Sequence, residues 1–193
     1  DFATLSLLCG GAAFAGLLVL RFKPYIFRRF ASWGHAWQAA STTGYQQTRA
    51  MSAAASGGLV GMGAGNGWLQ NIPAADTDLV FGMLCEEWGI LIAVLAVLSI
   101  LTLTVFAARA CRVGRSAFPT IAACAAGALL AAQTALNVFG AMDLLPLTGV
   151  TLPFVSNGGS AMIASWGLLA FLRGADTRER SRRAPAKKEV SSQ

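Results

Sequence analysis

Charge is what this chain has least of. Only 12% of its 193 residues are Asp, Glu, Lys or Arg, against roughly a quarter in an ordinary soluble domain. Histidine occurs once, at His35, which argues against a His-based metal centre. The four cysteines, Cys9, Cys85, Cys111 and Cys124, form no CxxC pair. They read as small apolar residues, not as disulfides or metal ligands. No GxGxxG occurs in any frame and no GK[ST] follows the glycine-rich stretch, so a nucleotide-binding loop is excluded. The net charge is +6, yet seven of the fifteen Lys/Arg lie between Arg173 and Lys188. An excess so localised is no signal for nucleic acid, and none is expected as a partner. Residues 173–193 are polar and lack an apolar period, so a disordered basic tail is expected there. No basic segment precedes the first apolar run, so that run is not read as a signal peptide. The chain opens on Asp1 and reads as a segment of something longer.

What the chain has in abundance is apolar length: 55% of residues are hydrophobic. The pattern predicts an all-α, polytopic membrane protein with about four transmembrane helices, near 2–20, 79–108, 117–140 and 158–172. A 19-residue helix rises about 28 Å against a hydrocarbon core of about 30 Å. The fourth run is short unless Pro153–Asn157 contributes. Gln133 and Asn137 lie four apart, hence on one helix face, where an interhelical hydrogen bond is the plain expectation.

Residues 21–78 are different. RFKPYIFRRF (21–30) is basic and aromatic, in the manner of a membrane interface. Residues 57–67 hold six glycines in eleven. Such backbone is not tolerated against lipid, so it lies outside the bilayer or folds into a protein-lined cavity, with short helices in the loop. Arg109, Arg112 and Arg115 lie in one short link, and the basic tail lies two spans later. By the positive-inside rule both are cytoplasmic. The loop 21–78 and the turn 141–157 are then extracytoplasmic. The basic cluster 21–30 on that face suits an anionic partner such as a lipid phosphate, or is simply outvoted by the inner bias.

Four of the nine acidic residues, Asp76, Asp78, Glu86 and Glu87, sit in PAADTDLVFGMLCEEWG (73–89), where this loop meets an apolar run. Charges near hydrocarbon are costly and are paired, water-facing or functional. Asp78 could cap the second span, with Thr77 as rival cap. It could also take a proton from an alcohol, with nearby arginines holding a pyrophosphate. Glu86 and Glu87 are expected to be structural, through hydrogen bonds that fix the top of the helix or by pairing with an external Arg. Asp143 is expected to be a solvated turn residue. Gly158 and Gly159 are expected to allow close helix packing or to begin a helix.

Several stretches, in order along nearly the whole chain, resemble the SEDS family, the shape, elongation, division and sporulation proteins related to FtsW, RodA and SpoVE. The family pattern PExxTDFIFxxxxEELG resembles residues 73–89. GYQ followed by GGLxGxGxGNG resembles Gly44–Gln46 and residues 57–67. GLLPxTGxxLPxISYGGSS resembles DLLPLTGVTLPFVSNGGSA (143–161). PYxxRR resembles Pro24–Arg29. The resemblance implies the last four spans of a roughly ten-helix bundle in the bacterial cytoplasmic membrane. It implies a peptidoglycan glycosyltransferase that polymerises lipid II at the outer face beside a class B penicillin-binding protein. It places the family's essential aspartate on Asp78, as the base for the acceptor hydroxyl. Arg28 and Arg29 would neutralise the leaving pyrophosphate, with a divalent cation, Mg or Mn, as a further aid. Tyr45, Gln46, Asn66, Thr77, Ser156 and Ser160 would line the substrate. Ala74 departs from the motif Glu, Asn157 from Tyr, and Arg49 and Ala50 from Gln and Ser. Asp76 could partly stand in for the missing Glu. Two rivals are a lipid-linked precursor flippase and an inactive scaffold for the penicillin-binding protein.

Overall fold

A computed structural model describes residues 2–22, 29–30, 32–113 and 117–175. The described chain is all helical: α1 (Phe2–Phe22), α2 (Tyr45–Gly57), a single 3₁₀ turn (Leu69–Asn71), α3 (Val80–Val113), α4 (Ala117–Ala141) and α5 (Gly159–Ala175). Arg28, and the tail from residue 176 onward, lie outside the described residues.

Helices form at each of the four expected spans. Two of them, α3 over Val80–Arg109 and α4 over Phe118–Ala141, are long and apolar enough to cross a membrane. The apolar stretch Phe2–Leu18 is shorter, and the 17 residues of α5 rise about 25 Å. Every described side chain of α1 is exposed. A helix that is apolar all round suits hydrocarbon better than water.

α3 and α4 run antiparallel. Small residues set their spacing: Ala107, Ala123 and Ala126 are buried with Leu130 and Leu172 in one cluster. A β-carbon on Gly127 would come 2.8 Å from that of Ala107, so the backbones touch as closely as in small-residue membrane packing. α5 closes this group through Leu172 and through an edge-on contact of Trp166 with Phe154, ring centroids 5.5 Å apart.

α2 packs on the first turns of α3, again through small residues. Its buried positions Gln47, Ala50, Ala53 and Gly57 recur at helical spacing. A β-carbon on Gly82 would sit 3.1 Å from the Ala50 carbonyl oxygen, and one on Gly57 would strike the Cys85 backbone. Gln47, 2% exposed, donates to the Gly140 carbonyl at 3.0 Å and so ties α2 to the end of α4.

The second span is not one straight rod. Gly89 has φ 82° and ψ 164°, which breaks the helix between Trp88 and Ile90. The Gly-rich loop fills the break. Ile90 N–H donates to the Gly58 carbonyl (3.0 Å), Met62 N–H to Glu86 (2.9 Å) and Gly63 N–H to Glu87 (3.0 Å). Main-chain groups that a continuous helix would have used internally are thereby satisfied from outside. A β-carbon on Gly61 would collide with the Glu87 carbonyl, and one on Gly89 with that of Leu59. Glycine at these two places is a condition of the approach.

Candidate functional site at the Asp76–Asp78 turn

Asp78 ends a tight turn that opens α3. Ala74 adopts φ 66°, a left-handed conformation costing about 1–2 kcal/mol for a residue with a β-carbon. Its carbonyl then takes the N–H groups of Thr77, Asp78 and Leu79, Asp78 at 2.9 Å. The Thr77 hydroxyl adds a bond to the same oxygen at 3.2 Å. Leu79 beneath is fully buried and anchors the turn among Ala50, Leu69, Ala141 and Leu147.

Three consecutive carbonyls of this turn are held by residues distant in sequence. Asn157 N–H donates to Asp76 O at 2.9 Å. Ser156 Oγ donates to Thr77 O at 2.7 Å. Asn137 Nδ2 donates to Asp78 O at 3.0 Å. The same Asn137 amide reaches Val150 O at 2.8 Å, and Ser156 Oγ accepts Leu152 N–H at 2.8 Å. The turn and the 149–157 loop are thus one braced unit at the junction of α3, α4 and α5. Asn137 Oδ1 is buried without a hydrogen-bond partner.

The bracing fixes the main chain from which the Asp78 carboxylate projects. A β-carbon built on Gly149 would sit 3.1 Å from Asp78 Oδ2 and 3.4 Å from Arg29 Nη1. The carboxylate and the guanidinium therefore both border a residue with no side chain. Arg29 Nη1 also donates to Leu147 O at 2.7 Å. Both residues are half-buried. Among the described residues, no capping hydrogen bond runs from the first turn of α3 to the Asp78 carboxylate. A half-buried carboxylate beside a cation, with its backbone immobilised, can accept a proton from a hydroxyl while the guanidinium meets an oxyanion.

The expected site residues divide. Thr77 and Arg29 lie at the turn with Asp78. Gln46 is tethered beside it, donating to the Pro73 carbonyl at 3.1 Å, and Tyr45 precedes it at the start of α2. Ser156 is buried, with its hydroxyl committed to the brace. Its place is structural, which corrects the expectation of a substrate contact. Asn66 is exposed and donates back to Met62 within the Gly-rich loop at 3.2 Å. Ser160 is exposed in the first turn of α5. Gly159 begins that helix with open space around it, and a β-carbon on Gly158 would come 3.3 Å from the Ala161 methyl and 3.7 Å from the Thr151 methyl.

Glu86 is fully buried. Its two oxygens accept Trp68 N–H (2.9 Å) and Leu69 N–H (3.1 Å), pinning the start of the 3₁₀ turn. Glu87 is half-buried beside it and holds the loop through its carbonyl. Asp76 is exposed and accepts Asn157 Nδ2 at 3.1 Å, so this departure from the family motif partners an acid.

Asp143 is not a solvated turn residue, contrary to expectation. Its carboxylate accepts Gly34 N–H and Ala36 N–H, each at 3.1 Å. Trp33 Nε1 donates to the neighbouring Leu144 carbonyl at 3.1 Å. Two N–H groups left open by a turn take a carboxylate in place of water. Asn137 was visible as a helical polar residue. Its bonds go not to another helix's side chain but to two main-chain carbonyls, a target with no signature in residue type.

The FtsW/RodA/SpoVE family, described as cell cycle proteins, matches residues 2–181. The chain is 38% identical over 177 residues to the probable peptidoglycan glycosyltransferase FtsW of Tolumonas auensis, covering 86% of this chain and 44% of that protein. It is 34% identical over 168 residues to the probable peptidoglycan glycosyltransferase FtsW of Escherichia coli O157:H7, covering 82% and 40%. It is 35% identical over 159 residues to the peptidoglycan glycosyltransferase RodA of Mycobacterium tuberculosis, covering 82% and 34%. The chain spans less than half the length of these relatives. With its all-α architecture and membrane-length helices, it is part of a polytopic membrane protein and belongs to the FtsW/RodA/SpoVE family.

Proposed function

We propose that the protein carrying this chain is a peptidoglycan glycosyltransferase that polymerises lipid II, with Asp78 as general base. The observation that carries the proposal is the brace on three successive carbonyls, which fixes the Asp78 main chain where its carboxylate and the Arg29 guanidinium both border Gly149. Asp78 takes the proton from the acceptor sugar hydroxyl. The hydroxyl oxygen attacks the donor anomeric carbon, the bond from that carbon to the pyrophosphate oxygen breaks, and configuration inverts. Arg29 balances the charge growing on the departing polyprenyl pyrophosphate.

Among the described residues no three His, Cys, Asp or Glu converge. A divalent cation, Mg or Mn, would be held by the Asp78 carboxylate and would offset the charge growing on the departing pyrophosphate. We place the reacting face outside the cytoplasm because Arg109, at the opposite end of α3 from the braced turn, reads as cytoplasmic by the positive-inside rule. The C-terminus is cytoplasmic, and a class B penicillin-binding protein crosslinks the product.

The test is lipid II polymerisation by the purified full-length protein, read as glycan ladders on a gel. Asp78→Asn should abolish polymer while leaving abundance and melting temperature at wild-type values. Polymer made at the normal rate would remove Asp78 from the mechanism.

A further inference from the structure

We propose that the cleft between Trp37 and the first turns of α2 is a subsite for a peptidyl carboxylate, an acid adjacent to an amide N–H. Its assignment to the substrate rests on the glycosyltransferase reading; the binding itself does not. The cleft encloses about 200 Å³ and is lined by Trp37, Ala40, Thr48, Arg49 and Ser52. α2, which forms one wall of the cleft, is tied to the Asp78 turn by the bond from Gln46 to the Pro73 carbonyl.

Arg49 is its chemical centre. The guanidinium carbon stands 5.2 Å from the Tyr45 ring centroid and 5.9 Å from that of Trp68. Aromatic rings so placed attract the cation and restrict its plane. Its N–H fork remains open: among the described residues no carboxylate or carbonyl takes it. A pre-set guanidinium with open donors matches a planar carboxylate in two-point fashion. One cation suits a single negative charge, whereas a pyrophosphate carries more and has Arg29 beside the Asp78 turn.

The hydroxyls define the rest of the ligand. Thr48 Oγ1 donates to the Gly44 and Tyr45 carbonyls (3.0 and 2.9 Å), and Ser52 Oγ donates to Thr48 O (2.8 Å). Thr48 is 4% exposed, so its hydroxyl serves the helix, whereas the half-buried Ser52 oxygen, its proton spent, can only accept. Ser52 therefore favours a ligand presenting an N–H beside its acid, as an acylated amino acid does. Trp37, 63% exposed, supplies an apolar wall for the residue's carbon skeleton. Arg49 stands where the family pattern has Gln, so the subsite is a property of this chain.

The experiment is titration calorimetry on the detergent-solubilised full-length protein. The probes are a water-soluble N-acetylmuramyl pentapeptide, the same peptide with its carboxylates amidated, and inorganic pyrophosphate. The free acid should bind, and the amidated peptide should bind about tenfold more weakly or worse, as expected for losing a charged hydrogen bond. Arg49→Gln should weaken the free acid to the level of the amide, with Arg49→Lys intermediate. In lipid II polymerisation, Arg49→Gln should raise KM and spare kcat. Equal binding of acid and amide would overturn the proposal without need of any variant. So would displacement of the peptide by pyrophosphate in the wild type but not in Arg49→Gln. If Asp78→Asn polymerises normally yet the acid still binds through Arg49, the catalytic reading falls and the subsite stands.

Discussion

Asn137 holds the main-chain carbonyl of Asp78 at 3.0 Å from 59 residues away. The same amide group holds Val150 at 2.8 Å, so one side chain on α4 couples the start of α3 to the loop that carries Gly149. Replacing Asn137 with Ala leaves both carbonyls without this donor, at a cost of about 1–3 kcal/mol for each buried group left unsatisfied. The melting temperature of the full-length protein should fall, and kcat should fall further than that loss of fold explains. Asn137→Asp should be no better, because a carboxylate faces two carbonyl oxygens with no donor. A wild-type kcat in Asn137→Ala would show that the brace does not orient Asp78.

Gly149 should be intolerant for a different reason. It has φ 76°, and a β-carbon there would press on Asp78 Oδ2 and Arg29 Nη1. Gly149→Ala carries about 1–2 kcal/mol of backbone strain and displaces one or both charged groups. Activity should drop by an order of magnitude or more for a displacement of even about 1 Å, while the melting temperature moves by only a few degrees. Polymerisation rate against thermal melting separates the two effects.

Glu86 and Glu87 are adjacent and should behave differently. Glu86 accepts two backbone N–H groups while fully buried, and hydrogen bonds to a charged group are worth about 1.5–3 kcal/mol each. Glu86→Gln turns one acceptor into a donor facing a donor. Hydrogen exchange at Trp68 and Leu69 should accelerate strongly, and the Gly-rich loop should become protease-sensitive. Glu87→Gln should leave both measurements near wild type, since Glu87 holds the loop by its main chain.

Gly61→Ala tests the docking of the loop into the break of α3. Gly61 has φ 88° and no room for a β-carbon beside the Glu87 carbonyl. The substitution should undock residues 58–63 and expose the Met62 and Gly63 amides to exchange. Protection equal to wild type would mean that the break at Gly89 is satisfied in another way.

Much of this was legible in residue order. Apolar runs without charge marked the two helices long and apolar enough to cross a membrane, α3 and α4. The motif around Asp78 marked the acid that the fold places beside Arg29. Gly89 was not legible as a break: it follows Glu86, Glu87 and Trp88 in a stretch otherwise patterned as one helix, and isolated glycines often sit quietly in membrane helices. Asp143 and Ser156 were misread because a carboxylate or hydroxyl in a loop looks the same whether it meets water, substrate or a backbone N–H.

The sequence by itself determined that this chain is helical and suited to a membrane, and that its acids and glycines gather toward one end of the helices. Hydrophobic length and charge placement decide those properties locally, through solvation. Only the tertiary structure decided which carbonyls are held, where α3 breaks and what faces Asp78. Those follow from hydrogen bonds to main-chain groups between segments as far as 118 residues apart, and the peptide group that takes part in them is common to nearly every residue.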